Sequence, residues 1–226
     1  MASRAAASAG NTLAEAAQRP LLRGALHAVA AALAGAGAAA LLLIAASPRA
    51  YVGAAIFASS LALLYSTSAI YHRVTWRPAL RRIVKRVDHA MIFVLIAGTY
   101  TPFCLLVLSD AWGITMLSVV WGVAGAGMLL KVAWPEAPRW LSVPLYLVVG
   151  WLAVVAAPQL LDRLSGAPIA MLLTGGVLYS LGGVVYAVER PNPWPRVFGY
   201  HEVFHALVVA GSAVHYALVA AYLLPR

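Results

Sequence analysis

Seven long uncharged stretches separate the charged residues along the chain. Each stretch contains 20 to 25 residues, and together they cover 159 of the 226 residues. Because an α-helix rises 1.5 Å per residue, about 20 residues cross the hydrocarbon core of a bilayer. The pattern therefore predicts an all-α integral membrane protein with seven transmembrane helices. The predicted spans are 24–46, 50–72, 89–108, 111–131, 140–161, 167–188 and 201–224.

The composition agrees with a chain that lies mostly in lipid. Apolar residues make up 63% and charged residues 10% of the sequence, against roughly 45–50% and 25% in soluble domains. So few charges could not cover the surface of a water-soluble domain of this size. Residues 1–19 are rich in Ala and Ser without apolar periodicity, so we expect a disordered tail there. Residues 20–226 are expected to form one seven-helix transmembrane domain.

The distribution of Lys and Arg predicts the orientation in the membrane. Thirteen of the 16 basic residues lie in the N-terminal segment and in the second, fourth and sixth loops, and three lie on the opposite side. Positively charged loops remain in the cytoplasm. The N-terminus and the tail at 1–19 are therefore predicted to be cytoplasmic, and the C-terminus extracytoplasmic.

The net charge of +9 indicates a lipid partner rather than nucleic acid. Six of the basic residues fall within the second loop, between Arg73 and Arg86. Basic residues next to a membrane span attract anionic lipid head groups. We therefore expect anionic head groups to contact the Arg73–Arg86 loop; the alternative is that these residues only set the topology. The sequence does not predict an oligomeric state.

Five polar residues inside or beside the spans are the candidates for chemistry, since polar side chains in a membrane are rare and usually functional. Ser68 and His72 are four residues apart, as are His201 and His205, so each pair lies on one helix face. Asp88 is expected to open the third helix. In the predicted topology all five residues lie near the cytoplasmic face.

Three imidazoles and a carboxylate at one depth suit a catalytic zinc site. His72, His201 and His205 would hold Zn²⁺ and leave its fourth position to water. Asp88 would act as the base, and Ser68 would donate a hydrogen bond to a ligand or a developing oxyanion. The alternative is that these residues are separately hydrogen-bonded polar residues between helices.

Four other polar residues are assigned less specific roles. His27 lies near the cytoplasmic end of the first helix, where it either supports the metal site or packs. His89 is expected at the rim. His215 is expected about 15 Å deeper than His205, too far to bind the same ion. Glu202 is expected to be a solvated rim charge or to pair with Arg196.

The ordered motifs resemble those of the hemolysin III proteins, the bacterial branch of the progestin and adipoQ receptor (PAQR) family. They are Ser68-Ala-Ile-Tyr-His72, then Arg86-Val-Asp88-His89 followed by Ala97-Gly-Thr-Tyr-Thr-Pro102, and then Gly199-Tyr-His201-Glu-Val-Phe-His205. The resemblance implies a seven-helix protein of the bacterial plasma membrane. It also implies zinc on the three histidines, with Asp88 contacting it through water, and kinship with ceramidase-type lipid amidases. Arg23-Gly-Ala-Leu-His27 departs from the acidic–Asn–Thr-His motif of many members and keeps only the histidine.

Zinc-dependent hydrolysis of an amide or ester in a membrane lipid is the leading interpretation. Two alternatives remain open. His201-Glu202-Val203-Phe204-His205 also fits the H-E-x-x-H pattern of metalloproteases, in which Glu202 would be the base. The third interpretation is a non-enzymatic protein, membrane-regulatory or pore-forming, in which zinc is structural.

Overall fold

The computed structural model describes residues 20–134 and 136–225. Seven helices of this part are long and apolar enough to cross a membrane, so the predicted all-α seven-helix fold is confirmed. The helices are α1 Ala25–Ile44, α2 Pro48–Arg73, α3 Pro78–Leu106, α4 Asp110–Ala133, α5 Arg139–Arg163, α6 Ala167–Val188 and α7 Tyr200–Leu223. The tail predicted at 1–19 lies outside the described residues.

Helix α3 begins at Pro78, so the predicted start at residue 89 is wrong. Asp88 does not open the helix but lies ten residues, almost three turns, inside it. The charges misled the prediction: they mark where the apolar stretch begins, not where helical hydrogen bonding begins. Proline is favourable at the first position of a helix because its missing N–H needs no partner there. The second loop is correspondingly short.

Small residues allow the helices to approach closely, as is common in membranes, where close packing helps to hold helices together. Where α2 crosses α3, a Cβ added at Gly98 would lie 2.5 Å from the Cβ of Ser60. Phe57 of α2 and Phe93 of α3 are fully buried in the same core. This packing fixes the relative position of α2 and α3, and hence of His72 and Asp88.

Helix α5 changes its winding in the middle. It is α-helical at Arg139–Gly150, a 3₁₀-helix at Trp151–Ala156 and α-helical again at Ala157–Arg163. The hydroxyl of Tyr100, from α3, accepts a hydrogen bond from the Ala153 N–H at 2.7 Å and donates one to the Gly150 carbonyl at 2.6 Å. Tyr100 therefore satisfies backbone groups at the irregular turn, which water would otherwise have to satisfy.

Residues 20–24, called the N-terminal strap below, lead into α1 across the loop that precedes α7. The N–H groups of Leu21 and Leu22 donate to the carbonyls of Arg196 and Val197, at 3.0 and 3.1 Å. Gly24 has φ +75°, which favours glycine. A Cβ there would lie 2.7 Å from the Cβ of His72. The strap is thus packed against the end of α2.

Candidate metal centre

Three histidines from the second and the seventh helix meet in the bundle. One ring nitrogen each of His72, His201 and His205 lies within 4.8 Å of the other two. The Nε2 atoms of His72 and His201 are 3.2 Å apart. The three histidines therefore form a candidate metal site, from the residues that the sequence singled out.

Local helical geometry explains the arrangement. His201 and His205 lie in the first turns of α7 and are four residues apart, so their rings share one face, with centroids 4.5 Å apart. His72 lies in the last turn of α2. Because α2 runs towards the face from which α7 departs, the three side chains lie at one depth.

Asp88 and Ser68 adjoin this cluster. Asp88 Oδ2 is 4.0 Å from His72 Nε2, and its side chain is only 12% exposed. The buried Ser68 hydroxyl interacts with the Asp88 carboxylate and lies 2.8 Å from Nδ1 of His27. The structure thus brings together all five residues predicted for the site.

His27 belongs to the same assembly. Its ring stacks on that of His205, with centroids 3.7 Å apart and planes 11° from parallel. Its imidazole is 2% exposed, and its Nε2 has no hydrogen-bond partner among the described residues. The sequence offered one signal for this position, because His27 lies at the cytoplasmic end of its span like the other candidates. It gave no indication of which helix face α1 presents to α7.

Glu202 is neither solvated nor paired with Arg196, so that prediction is wrong. Glu202 is 1% exposed and lies 2.5 Å from the guanidinium Nε of Arg23. Its second oxygen accepts the Gly199 N–H at 2.8 Å. The N-terminal strap brings Arg23 to this position, which residue spacing along α7 does not reveal. Both Glu202 oxygens are engaged, so the geometry does not support the base role of the H-E-x-x-H pattern.

A cavity of about 410 Å³ runs from the candidate site along the inside of the bundle. Asp88, His201 and His205 contribute to its lining together with many apolar side chains, among them Leu108 and Leu160. His89, expected at the rim, also lines the cavity. His215, ten residues beyond His205 along α7, donates from Nε2 to the Leu172 carbonyl at 3.2 Å and takes no part in the cluster.

Comparison with known proteins decides the family. The family model described as "Haemolysin-III related" matches residues 16–216. The chain belongs to this family. It is 38% identical over 167 residues to the Hemolysin-3 homolog of Bacillus subtilis, covering 74% of this chain and 75% of that protein. It is 34% identical over 176 residues to Hemolysin-3 of Bacillus cereus, covering 78% and 77%.

More distant relatives link this haemolysin III protein to the PAQR family. It is 24% identical over 172 residues to the human Monocyte to macrophage differentiation factor, covering 74% of this chain and 69% of that protein. The family match spans the N-terminal strap and all five predicted site residues. Together with the seven apolar helices, the bacterial relatives make this a multi-pass protein of the bacterial plasma membrane.

Proposed function

We propose that this haemolysin III protein is a zinc-dependent hydrolase of amide or ester bonds in membrane lipids. The observation that carries the proposal is a cluster of three histidine ligand atoms, with a largely buried carboxylate beside it, at the lining of a largely apolar cavity. Three protein ligands are typical of catalytic zinc sites.

The donor set fits zinc. Zn–N distances of about 2.0–2.1 Å place two imidazole nitrogens of a tetrahedral site about 3.3 Å apart, and the Nε2 atoms of His72 and His201 are 3.2 Å apart. His72, His201 and His205 would hold the ion. When bound, zinc supplies a Lewis acid and lowers the pKa of a coordinated water to about 7.

Two residues beside the histidines would perform the proton chemistry. Asp88 is held next to His72 and would accept the proton of the attacking water and deliver it to the leaving amine or alkoxide. The Ser68 hydroxyl would donate a hydrogen bond to the substrate carbonyl as negative charge develops on its oxygen. His27, bonded to Ser68 and stacked on His205, would keep both groups in place.

The cavity supports a lipid as the substrate. Its mostly apolar lining suits a hydrocarbon chain, while the polar groups at the histidine cluster suit a carbonyl carbon next to the head group. A buried acyl chain would also exclude bulk water from the cavity. With the acyl chain in the cavity, the amide or ester bond of the lipid would lie beside Asp88.

The basic start of α3 would contact anionic lipid head groups. Arg81, Arg82, Lys85 and Arg86 lie in the first turns of this helix, where the predicted topology places them at the cytoplasmic surface. Each basic residue near an anionic membrane surface is worth about 1 kcal/mol of attraction. This partner class extends the proposal; the hydrolytic function does not depend on it.

Metal content and turnover test the proposal together. The purified protein is expected to contain about one zinc per chain and to hydrolyse at least one member of a panel of ceramides, other lipid amides and phospholipid esters. His205→Ala should lose most of the zinc and the turnover, whereas Arg49→Gln, at an exposed side chain outside the cavity lining, should keep both. Equal zinc in the wild type and His205→Ala would contradict a shared metal site.

A non-enzymatic function is the second candidate, because the Bacillus cereus relative is named Hemolysin-3. In that case the protein would permeabilise or regulate membranes, and zinc would only stabilise the fold. Release of a dye from liposomes by wild-type protein and equally by Asp88→Asn, without turnover of any lipid on the panel, would favour this function.

A further inference from the structure

A partly buried ion pair connects the N-terminal strap to α7 directly beside the candidate metal ligands. Arg23 comes from the N-terminal strap, and Glu202 is the residue after His201 and three before His205. Their Nε–Oε1 distance is 2.5 Å, with the side chains 23% and 1% exposed. Arg23 therefore lies at the first turn of α7, which carries His201.

The pair holds the first turn of α7. One Glu202 oxygen accepts the backbone N–H of Gly199, just before the helix, and the other accepts from Arg23. The strap that carries Arg23 is in turn hydrogen-bonded to Arg196 and Val197 and packed through Gly24 against His72. The same five strap residues therefore contact both helix ends that supply the histidines.

We propose that Arg23 and Glu202 are positioning residues that jointly set the geometry of the histidine cluster for its metal. This inference rests on the proposed metal site and adds residues to it. Neither side chain coordinates the ion. Their role is to fix the start of α7, and thus the distances from His201 and His205 to His72, while adding no net charge beside a dication.

The charge balance of the pair makes the inference specific. Removing Glu202 leaves an unpaired guanidinium beside the metal, which repels it. Removing Arg23 leaves a buried carboxylate without its partner, which is unfavourable. Glu202 would then draw on other donors and shift the turn that carries His201. Removing both side-chain charges leaves no unpaired charge, so the effects of the two changes should not add.

Zinc affinity in a double-mutant cycle tests the pair. The zinc dissociation constant is measured by chelator competition for the wild type, Arg23→Gln, Glu202→Gln and the double variant, and the visible spectrum of each Co²⁺-loaded protein is recorded. Each single variant is expected to bind zinc about 10- to 100-fold more weakly, the range for residues that orient metal ligands. Its Co²⁺ spectrum should change as well. The double variant should bind more tightly than the product of the two effects predicts.

The matched control is the ion pair of Arg49 with Asp110, at 2.8 Å between exposed side chains in the first turns of α2 and α4. Arg49→Gln should leave zinc affinity and the Co²⁺ spectrum unchanged. Wild-type affinity in both single variants of the buried pair overturns the inference, as does strict additivity in the double variant. If the wild type itself binds no zinc, the proposed metal site fails first, so the two failures are distinguishable.

Folding is measured separately, by thermal unfolding of each metal-free protein. Arg23→Lys and Glu202→Asp, which keep the charges and move their positions, replace any glutamine variant that does not fold. They are expected to weaken zinc binding in the same direction but to a smaller extent. Wild-type affinity in both of these variants also overturns the inference.

Discussion

Each of the three histidines has a different neighbour in the structure. His72 faces the carboxylate of Asp88 across 4.0 Å, and His205 is covered by the ring of His27. His201 adjoins the Glu202–Arg23 pair. An imidazole that binds a metal is normally oriented by such neighbours. These contacts give the residues around the cluster separable roles, which substitutions can distinguish.

Replacing each carboxylate, Asp88 or Glu202, by its amide distinguishes a catalytic base from a positioning residue. Asp88→Asn keeps the shape but removes the proton acceptor, so lipid hydrolysis is expected to fall at least 100-fold, the lower end for general acid–base catalysis. Glu202→Gln should act mainly on zinc affinity. Turnover of the lipid panel is measured at matched zinc occupancy, where Glu202→Gln should retain most of the activity. Loss with Glu202→Gln and retention with Asp88→Asn would instead assign the base to Glu202.

The sequence predicted this group of residues because helical spacing and membrane depth are both readable from it. Four-residue spacing places His201 beside His205, and the alternation of helix direction places His72 and Asp88 at the same depth. The stacking of His27 and the pairing of Arg23 with Glu202 depend on how α1 is rotated against α7. Because the helix α1 is apolar on most of its faces, its sequence pattern does not show which face packs against α7.

At the scale of elements, the seven spans and all but one of their boundaries could be predicted well. Hydropathy marks where a helix enters lipid, and six of the seven spans start within two residues of their predicted positions. The exception is α3, whose first turns carry Arg81, Arg82, Lys85 and Arg86. A helix can continue into the interface because its backbone hydrogen bonds are internal, so charge alone does not end it.

Substitution of Gly98 and of Gly122 by alanine separates the effect of helix packing on stability from that of helix propensity. A Cβ at Gly98 would collide with Ser60 of α2, whereas nothing lies within 4 Å of a Cβ at Gly122. Both lie in the interior of a helix, so the propensity gained on substitution by alanine is similar. Gly98→Ala is expected to destabilise the protein by about 1–3 kcal/mol through overpacking, and Gly122→Ala should be neutral or stabilising. Unfolding in detergent compares the two; equal stability would show that α2 and α3 can separate without cost.

At the scale of the whole molecule, the orientation in the membrane remains a prediction from the basic loops. Cys104, which is buried, is replaced by alanine to give a background without cysteine. A single cysteine at the exposed position of Ser165 should then react with an impermeant thiol reagent applied to intact cells. One at the exposed position of Glu136 should react only after permeabilisation. The reverse pattern of labelling would invert the topology and move the histidine cluster to the outer face.

The contact between the N-terminal strap and the start of α7 also has a consequence for biosynthesis. His201 lies 129 positions after His72, a distance that takes roughly 6 to 26 s to translate at about 5–20 residues per second. During that time Arg23 and His72 have already been synthesised, whereas His201, Glu202 and His205 have not. The three-histidine cluster therefore forms only after the start of the seventh helix has been synthesised, and a nascent chain that stalls before it carries no complete centre.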